Sequence, residues 1–415
     1  MQLSTEMQRT RVFDSLFTGY TGSAFAVHLW DGWCWHSSQD VQPECTIRIT
    51  NPSALELLVA NPDEIPLGEA FVRGDLDVTG DILSVFTVGE HVLARPATVR
   101  RAILRRIVAT TLRIGRFLQD GGLHTRNRDR AAVAHHYDQP FPFYELWLGK
   151  TLAYSCAYFR TVDEELDQAQ QNKLDLICRK LRLQPCDQFL DIGCGWASLL
   201  LHAASSYGVY AHGITLSKGQ ADIATARIES ASLTQSCSVR LGDYRTLRDN
   251  PVTFDKIASV GMFEHVGARH LIEYFTTAWN SLKPGGVFLN HGIARSHLSP
   301  VRKSSFIDRY VFPDGQLVTL AEAISAAEAV GFEVRDVENL REHYELTLRS
   351  WVEELQRNSK VILECVSEST YRTWLLYMAG SAAAFGRGEI GIYQMLLSRL
   401  DRGKSGLPMT REDWY

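Results

Sequence analysis

The chain has 415 residues, 45% hydrophobic and 22% charged, with a net charge of −5 at pH 7. That length suggests two domains with separate cores, and so mild a charge argues against wholesale nucleic-acid binding. The longest apolar run, "WLLYMAGSAAAF" at 374–385, is too short to span a bilayer and reads as a buried helix.

The opening stretch, "MQLSTEMQRTRVFDSLF", lacks the continuous apolar segment of a secretion signal. Eight cysteines form no CxxC pair, and no histidine cluster accompanies them at metal-ligand spacing. A reduced, cytoplasmic protein without a metal is therefore expected. "SAFAVHLWDGWCWHS" places Asp31-Gly32 between aromatic-rich runs, a strong hairpin signal. "CTIRIT" alternates as a strand does, and "NPSALELLVANP" carries a helix start and stop. Residues 1–95 thus read as a small α+β domain with no catalytic constellation.

From Arg95 to Arg130 ten arginines face two aspartates, a local +8 in an acidic chain. Within "TVRRAILRRIVATTLRIGRFLQ" the apolar positions recur at helical spacing. Residues 96–130 therefore read as a basic amphipathic helix and linker, suited either to an anionic lipid surface or to packing on the protein itself.

Residues 131–415 alternate strand-like and helix-like stretches, which implies an α/β domain with a largely parallel sheet. The strands are expected in "DQFLDIG" (187–193), "VYAHGITL" (209–216), "CSVRLGDY" (237–244), "FDKIASVGM" (254–262) and "GGVFLNHGI" (285–293), with helices at 197–206 and 217–230. Ligands of such sheets bind beyond the carboxyl ends of the strands. Glu264 and His291 are expected at the ends of neighbouring strands.

"LDIGCGWAS" puts Gly193 and Gly195 at a strand-to-helix turn, where backbone N–H groups can approach a ligand. A glycine pair alone fits NAD, flavin, S-adenosylmethionine (SAM) or tight packing. NAD binding wants an acidic residue about 20 positions on, and "HGITLSKGQ" supplies none. Asp191 followed by Gly-Cys-Gly is instead the signature of class I SAM-dependent methyltransferases. "GDYR" then offers Asp243 for the adenine amine, unless it is a turn aspartate, and Tyr244 as a wall for the ring.

From about residue 134 to 400 the chain resembles the cyclopropane-fatty-acyl-phospholipid synthases and mycolic acid cyclopropane synthases. The stretches that carry the resemblance are "HYDQPFPFYELWLGKTLAYSCAYF", "LDIGCGW", "GITLSKGQ", "GDYR", "VGMFEHVG", "HGI" and "YVFPDG". The N-terminal half more weakly resembles the lipid-binding, sterol-carrier-like domain of longer members. The resemblance implies a class I fold with a mostly parallel seven-stranded sheet. It also implies transfer of a methylene from SAM to a cis double bond in an acyl chain of a membrane phospholipid, through a carbocation deprotonated by bound bicarbonate. The bicarbonate ligands would be Cys156, Glu264, His291, Ile293 through its backbone, and Tyr344. SAM would meet Tyr154, Ser155, Asp191, Gly193, Gly195, Thr215, Gln220, Asp243 and Tyr244.

A buried carboxylate beside an anion needs a proton on one of the pair, so Glu264 and His291 are expected to share one. Tyr154, Tyr158, Phe159, Phe263, Tyr310 and Phe312 are candidates to stabilise a passing cation, while His265 reads as structural. Ala197 and Ser198 stand where the family commonly has glycine, which should affect helix packing more than SAM contacts. Asn290 and Gly292 also depart from the pattern and bear on the lipid pocket. Relatives that add a methyl branch, or that methylate amines, are the alternatives. The location implied is cytoplasmic, at the inner face of a membrane, and members often dimerise.

Overall fold

In a computed structural model, the described residues are 2–60, 63–94, 139–248, 252–297, 305–311 and 316–414. The arginine-rich segment expected at 96–130 lies outside them. The chain divides into two compact units. One comprises Met1–Leu123 with Arg302–Val311 and Val366–Ala383; the other comprises His124–Val301, Phe312–Cys365 and Ala384–Tyr415.

The first unit holds a four-stranded sheet. Strands β1 (Phe25–Leu29) and β2 (Cys34–His36) form the hairpin expected around Asp31-Gly32. Gly32 turns the chain at φ +88°, and Asp31 Oδ1 accepts from the Trp33 N–H at 3.2 Å. Strand β3 (Cys45–Ile49) lies parallel to β1, and β4 (Leu76–Gly80) runs antiparallel to β3, giving the order β2-β1-β3-β4. Alternation sends Val27, Leu29 and Trp35 inward and His28 outward. An N-terminal helix, Gln2–Leu16, was not legible in the sequence. Its buried residues, Phe13 and Leu16, fall near its end and are followed by Phe17, so no apolar stripe at period 3.6 runs along it. Phe17 packs 4.9 Å from Phe25 and 5.3 Å from Trp35, closing this core. From the segment Val366–Ala383, Arg372 pairs with Asp77 at 3.2 Å and donates to the Phe71 carbonyl.

The second unit is built on a seven-stranded sheet. Its strands are β5 (Gln188–Ile192), β6 (Tyr210–Thr215), β7 (Cys237–Leu241), β8 (Phe254–Val260), β9 (Leu282–Arg295), β10 (Glu333–Asn339) and β11 (Ile390–Ser398). The order is β10-β11-β9-β8-β5-β6-β7, parallel from β5 to β9, with β11 antiparallel to both β9 and β10. Strand β5 lies between β6 and β8, so strand order reverses at its carboxyl end and opens a crevice there. Among the described residues its larger apolar cores are centred on Leu176, Phe189 and Leu200, and on Ile192, Phe275 and Phe288.

The five sequence-expected strands are present, as are the helices Ser198–Tyr207 and Lys218–Ser230. The run at 374–385 lies within the helix Glu368–Gly386. Ala197, where the family favours glycine, begins the first of these helices at φ +68°, ψ 21°. A non-glycine residue there costs about 1–2 kcal/mol, while glycine would add about 0.4–1 kcal/mol of unfolded-chain freedom. Ala197→Gly is therefore expected to stabilise the protein by about 0.5–1 kcal/mol, measured as a raised urea midpoint with unchanged slope.

Candidate active site

The crevice beyond β5 is a cavity lined by eight of the nine residues expected to meet SAM: Tyr154, Ser155, Asp191, Gly193, Gly195, Thr215, Gln220 and Tyr244. Gly193 holds φ +86°, and a Cβ there would lie 2.9 Å from the Met262 Cβ, so only glycine fits. The amides of Gly193 and Cys194 both donate to the Ile214 carbonyl, at 2.9 and 3.1 Å. The Gly193 amide therefore does not face a ligand, and these two bonds pin the turn to β6.

Asp191 is buried, and its Oδ1 has no hydrogen-bond partner. Burial raises its carboxyl to about 7, against the pull of Lys173. Lys173, itself buried on the helix Leu166–Leu181, donates to Ser155 Oγ at 2.8 Å and is lowered by burial to about 8. Thr215 Oγ1 donates to Gln220 Oε1 at 2.7 Å. The ninth residue, Asp243, does not line the cavity. Its carboxylate is gripped by Arg245, which donates from Nε at 2.9 and 3.0 Å and from Nη2 at 2.6 Å. Arg245 is the member of that pair that reaches the cavity wall.

The second group is built on β9 and its neighbours. Glu264 sits in a single 3-10 turn, Phe263–His265, just past β8. Its Oε1 accepts from the Ile293 amide at 2.7 Å, and its Oε2 is buried without a partner. Burial raises this carboxyl to about 7, although backbone donors act against the shift.

His291 is level with Val260, the last residue of β8, but β9 runs on to Arg295, so His291 is not at the end of its own strand. Its Nδ1 lies 3.2 Å from Gln394 Nε2, and Gln394 Oε1 accepts from Lys180 Nζ at 2.8 Å. Because Lys180 can only donate, the amide oxygen faces it and the amide nitrogen faces the ring. Nδ1 is then the acceptor, and the imidazole proton resides on Nε2, which is buried without a partner. Burial, followed by Lys173 and Lys180, lowers His291 to about 3, so the ring is neutral. Glu264 and His291 do not hydrogen-bond to each other, which removes the expected shared proton.

Cys156 is fully buried, and its thiol is pushed up by burial. Sγ lies within hydrogen-bond distance of the carbonyls of Ala157, at 3.2 Å, and Leu340, at 3.7 Å, either of which can accept its single proton. It is a neutral donor rather than a nucleophile. Leu340 ties the group together: its carbonyl also accepts from the Tyr344 amide at 3.0 Å, and its amide donates to Ile392, the register partner of Ile293. Tyr344 lies on the helix Arg341–Arg357 with its ring 4.8 Å from that of Phe385.

Sequence reasoning missed Lys173, Lys180 and Gln394; His265, read as structural, is among the residues lining the cavity. "QNKLDLICRKL" reads as an ordinary amphipathic helix with solvated lysines, and no local signal marks either lysine as buried. Of the aromatic candidates, Tyr154 lines the cavity, Tyr158 stacks on His343 and Phe159 is buried. Tyr310 belongs to the first unit, where its hydroxyl donates to Glu69 at 2.7 Å; Phe312 lies outside the described residues.

The two departures on β9 acquire roles. Asn290 Oδ1 accepts from the Tyr274 hydroxyl at 2.6 Å. A Cβ at Gly292 would approach the Phe263 Cβ to 2.8 Å, so glycine lets the turn bearing Glu264 lie against the strand. Gly292→Ala is expected to cost about 1–3 kcal/mol of stability and to reduce turnover by displacing Phe263. Denaturant unfolding and steady-state assays with the same variant check both effects.

The family model for mycolic acid cyclopropane synthetase matches residues 124–395. This chain belongs to that family. It is a SAM-dependent methyltransferase acting on lipids, with the class I α/β fold. A second family model, described only as a domain of unknown function, matches residues 12–90. The chain is 39% identical over 401 residues to a probable fatty acid methyltransferase of Pseudomonas putida, covering 93% of this chain and 95% of that protein. It is 36% identical to the cyclopropane-fatty-acyl-phospholipid synthase of Escherichia coli K12, over 67% of this chain and 70% of that one. The mycolic acid cyclopropane synthase CmaA1, solved with SAH and CTAB, superposes with a TM-score of 0.61 at 34% identity, over 65% of this chain and 97% of that one. Among the described residues, no helix is long and apolar enough to cross a membrane.

Proposed function

We propose that this enzyme transfers a methylene from SAM to the cis double bond of an unsaturated acyl chain on a membrane phospholipid, with bicarbonate as the base. When bound, SAM supplies an electrophilic methyl and bicarbonate a proton acceptor. The observation that carries the reading is that three of the buried side-chain polar atoms without hydrogen-bond partners, Glu264 Oε2, His291 Nε2 and Asp191 Oδ1, belong to residues of this site. Each unpaired buried group costs about 1–3 kcal/mol, so their survival in the fold points to ligands that complete them.

The donor set fits a hydrogen carbonate ion. Glu264 Oε2 would accept from its hydroxyl, and the Nε2–H of neutral His291 would donate to its oxygens. Tyr344 and the Cys156 thiol complete the set. Asp191 Oδ1, on the cavity wall, fits the ammonium of SAM, with Ser155 held by Lys173 on its other side. Tyr154, Gly193 and Gly195 enclose the methionine end, Thr215, Gln220 and Tyr244 serve the ribose and adenine, and Asp243 acts through Arg245, which it holds at the cavity wall. An alkene has no proton to lose before attack, so no activated nucleophile is required; what matters is a base in a pocket that excludes water. The N-terminal unit and the basic stretch at 96–130 are assigned to lipid and anionic membrane contact, at a cytoplasmic face, each arginine there adding about 1 kcal/mol.

A second reading, methyl branching without ring closure, is favoured by the Pseudomonas putida relative, which matches nearly the whole chain and is named a fatty acid methyltransferase. Vesicles of cis-monounsaturated phospholipid incubated with enzyme and SAM separate the two by mass spectrometry. Gain of one CH2 with the double bond consumed supports cyclopropanation, whereas the same gain with an alkene retained identifies branching. Loss of activity in bicarbonate-free buffer, restored by added bicarbonate, tests the base.

A further inference from the structure

We infer that the outer face of the β1–β2 hairpin, in the first unit, is a binding site for a thiophilic divalent cation of the zinc class. His28, Cys34 and His36 bring one ligand atom each to within 4.8 Å of one another. The sequence hides this set, because its spacing matches no familiar cysteine–histidine motif; pairing across the hairpin creates it.

The register shows how. Leu29 donates to the Trp33 carbonyl and Ser37 to the Phe25 carbonyl, so the hydrogen-bonded pairs are 29/33, 27/35 and 25/37. The pair His28↔Cys34 then falls at a position without ladder bonds, where opposed side chains stand closest, about 4.5 Å apart at Cα. His36 follows Cys34 by two residues and so shares its face. Val27, Leu29 and Trp35 fill the opposite face with buried apolar side chains, which fixes the register of the hairpin and hence the spacing of the three ligands.

The chemistry suits a borderline-soft cation. Bonds of about 2.0–2.3 Å around a tetrahedral zinc place its ligand atoms about 3.5 Å apart. Exposed His28 and Cys34 and half-buried His36 close the remaining distance by rotamer adjustment, without moving the strands. Cys34 binds as the thiolate, so uptake releases its proton. Three protein ligands leave one position for water or an anion. Arg48, directly across from His28 on β3, adds positive charge to this face and favours an anion there. Cys34 and Cys186 are the exposed cysteines of the eight, so the thiol is accessible.

The test uses the full chain, stripped of metal by a chelator and titrated with Zn2+ against a chromophoric competitor, then with Co2+ followed by absorption. One equivalent is expected, with a thiolate-to-cobalt charge-transfer band. Cys34→Ser should abolish the band, and Cys34→Ser and His36→Asn should each weaken Zn2+ binding by more than about tenfold. Cys186→Ser should change neither, and far-ultraviolet circular dichroism checks that each variant is folded. The inference is overturned if the wild type takes up no stoichiometric Zn2+, if Cys34→Ser binds as tightly as wild type, or if the band follows Cys186.

Discussion

Glu264→Gln is expected to lower product formation on unsaturated phospholipid by about 10²–10⁴-fold, the range for a positioned acid–base group, while SAM still binds. Glutamine keeps a carbonyl for the Ile293 amide, which donates to Oε1 at 2.7 Å. It places an NH2 donor where Oε2, buried and without a partner, would accept. Product assays report the loss, and calorimetric titration with SAM shows that the fold and the cavity persist. The same variant carries a pH signature. Burial raises Glu264 from 4.5 to about 7, so the folded state favours its proton. That preference contributes stability fully below about pH 4.5 and loses it as pH rises through about 7. The buried Asp191 carboxyl acts in the same direction. Between about pH 5 and 8 the wild type should therefore lose more stability than Glu264→Gln, with the difference between their unfolding curves isolating this one carboxyl. Parallel curves would show that Glu264 is ionised in the fold across that range.

Gln394→Leu is expected to lower kcat by about 10²-fold, the cost of one misdirected donor, with the KM for SAM little changed. The amide holds Nδ1 of His291 as an acceptor and so keeps the proton on Nε2. Leucine removes that instruction and leaves Lys180 with its acidic neighbours, Glu338 and Asp336. A loss of about 1–3 kcal/mol in stability should accompany it. Gln394→Glu distinguishes orientation from packing. A carboxylate accepts from Lys180 and from an Nδ1–H alike, so it inverts the tautomer at nearly constant volume. Side-chain 15N shifts of His291 read that inversion directly; an unchanged tautomer in Gln394→Glu would sink the positioning role.

Much of this site was legible because class I sheets announce themselves locally. A buried parallel strand is a short apolar run, and "LDIGCG" and "VGMFEHVG" mark where two such strands end. The glycines at 193 and 195 follow from backbone needs that a sequence states outright. What stayed hidden depends on partners far away in the chain. Strand β10, "EVRDVEN", is mostly polar and is recognisable only by its pairing with β11. Gln394 meets His291 across 103 positions and Lys180 across 214. The Asp243–Arg245 grip was local but ambiguous, since a turn aspartate and an adenine ligand carry the same residues. The histidine pair of the hairpin was hidden in a different way, by a two-residue period that spacing rules for metal motifs do not test.

The helix Leu166–Leu181 serves both halves of the site at once. Lys173 reaches Ser155 on the cavity side, and Lys180 reaches Gln394, which orients His291. The two lysines are seven residues apart, nearly two turns, so both project from one face and stand about 10 Å apart along the axis. A rod with two buried charged pegs resists sliding, because any slip strips a cation of its partners, at a cost of several kcal/mol. The separation between the cavity and the His291 group is thereby gauged by a single rigid element. Fraying of that helix would dismantle both subsites together, so slow amide exchange along it should track retention of activity as denaturant is raised.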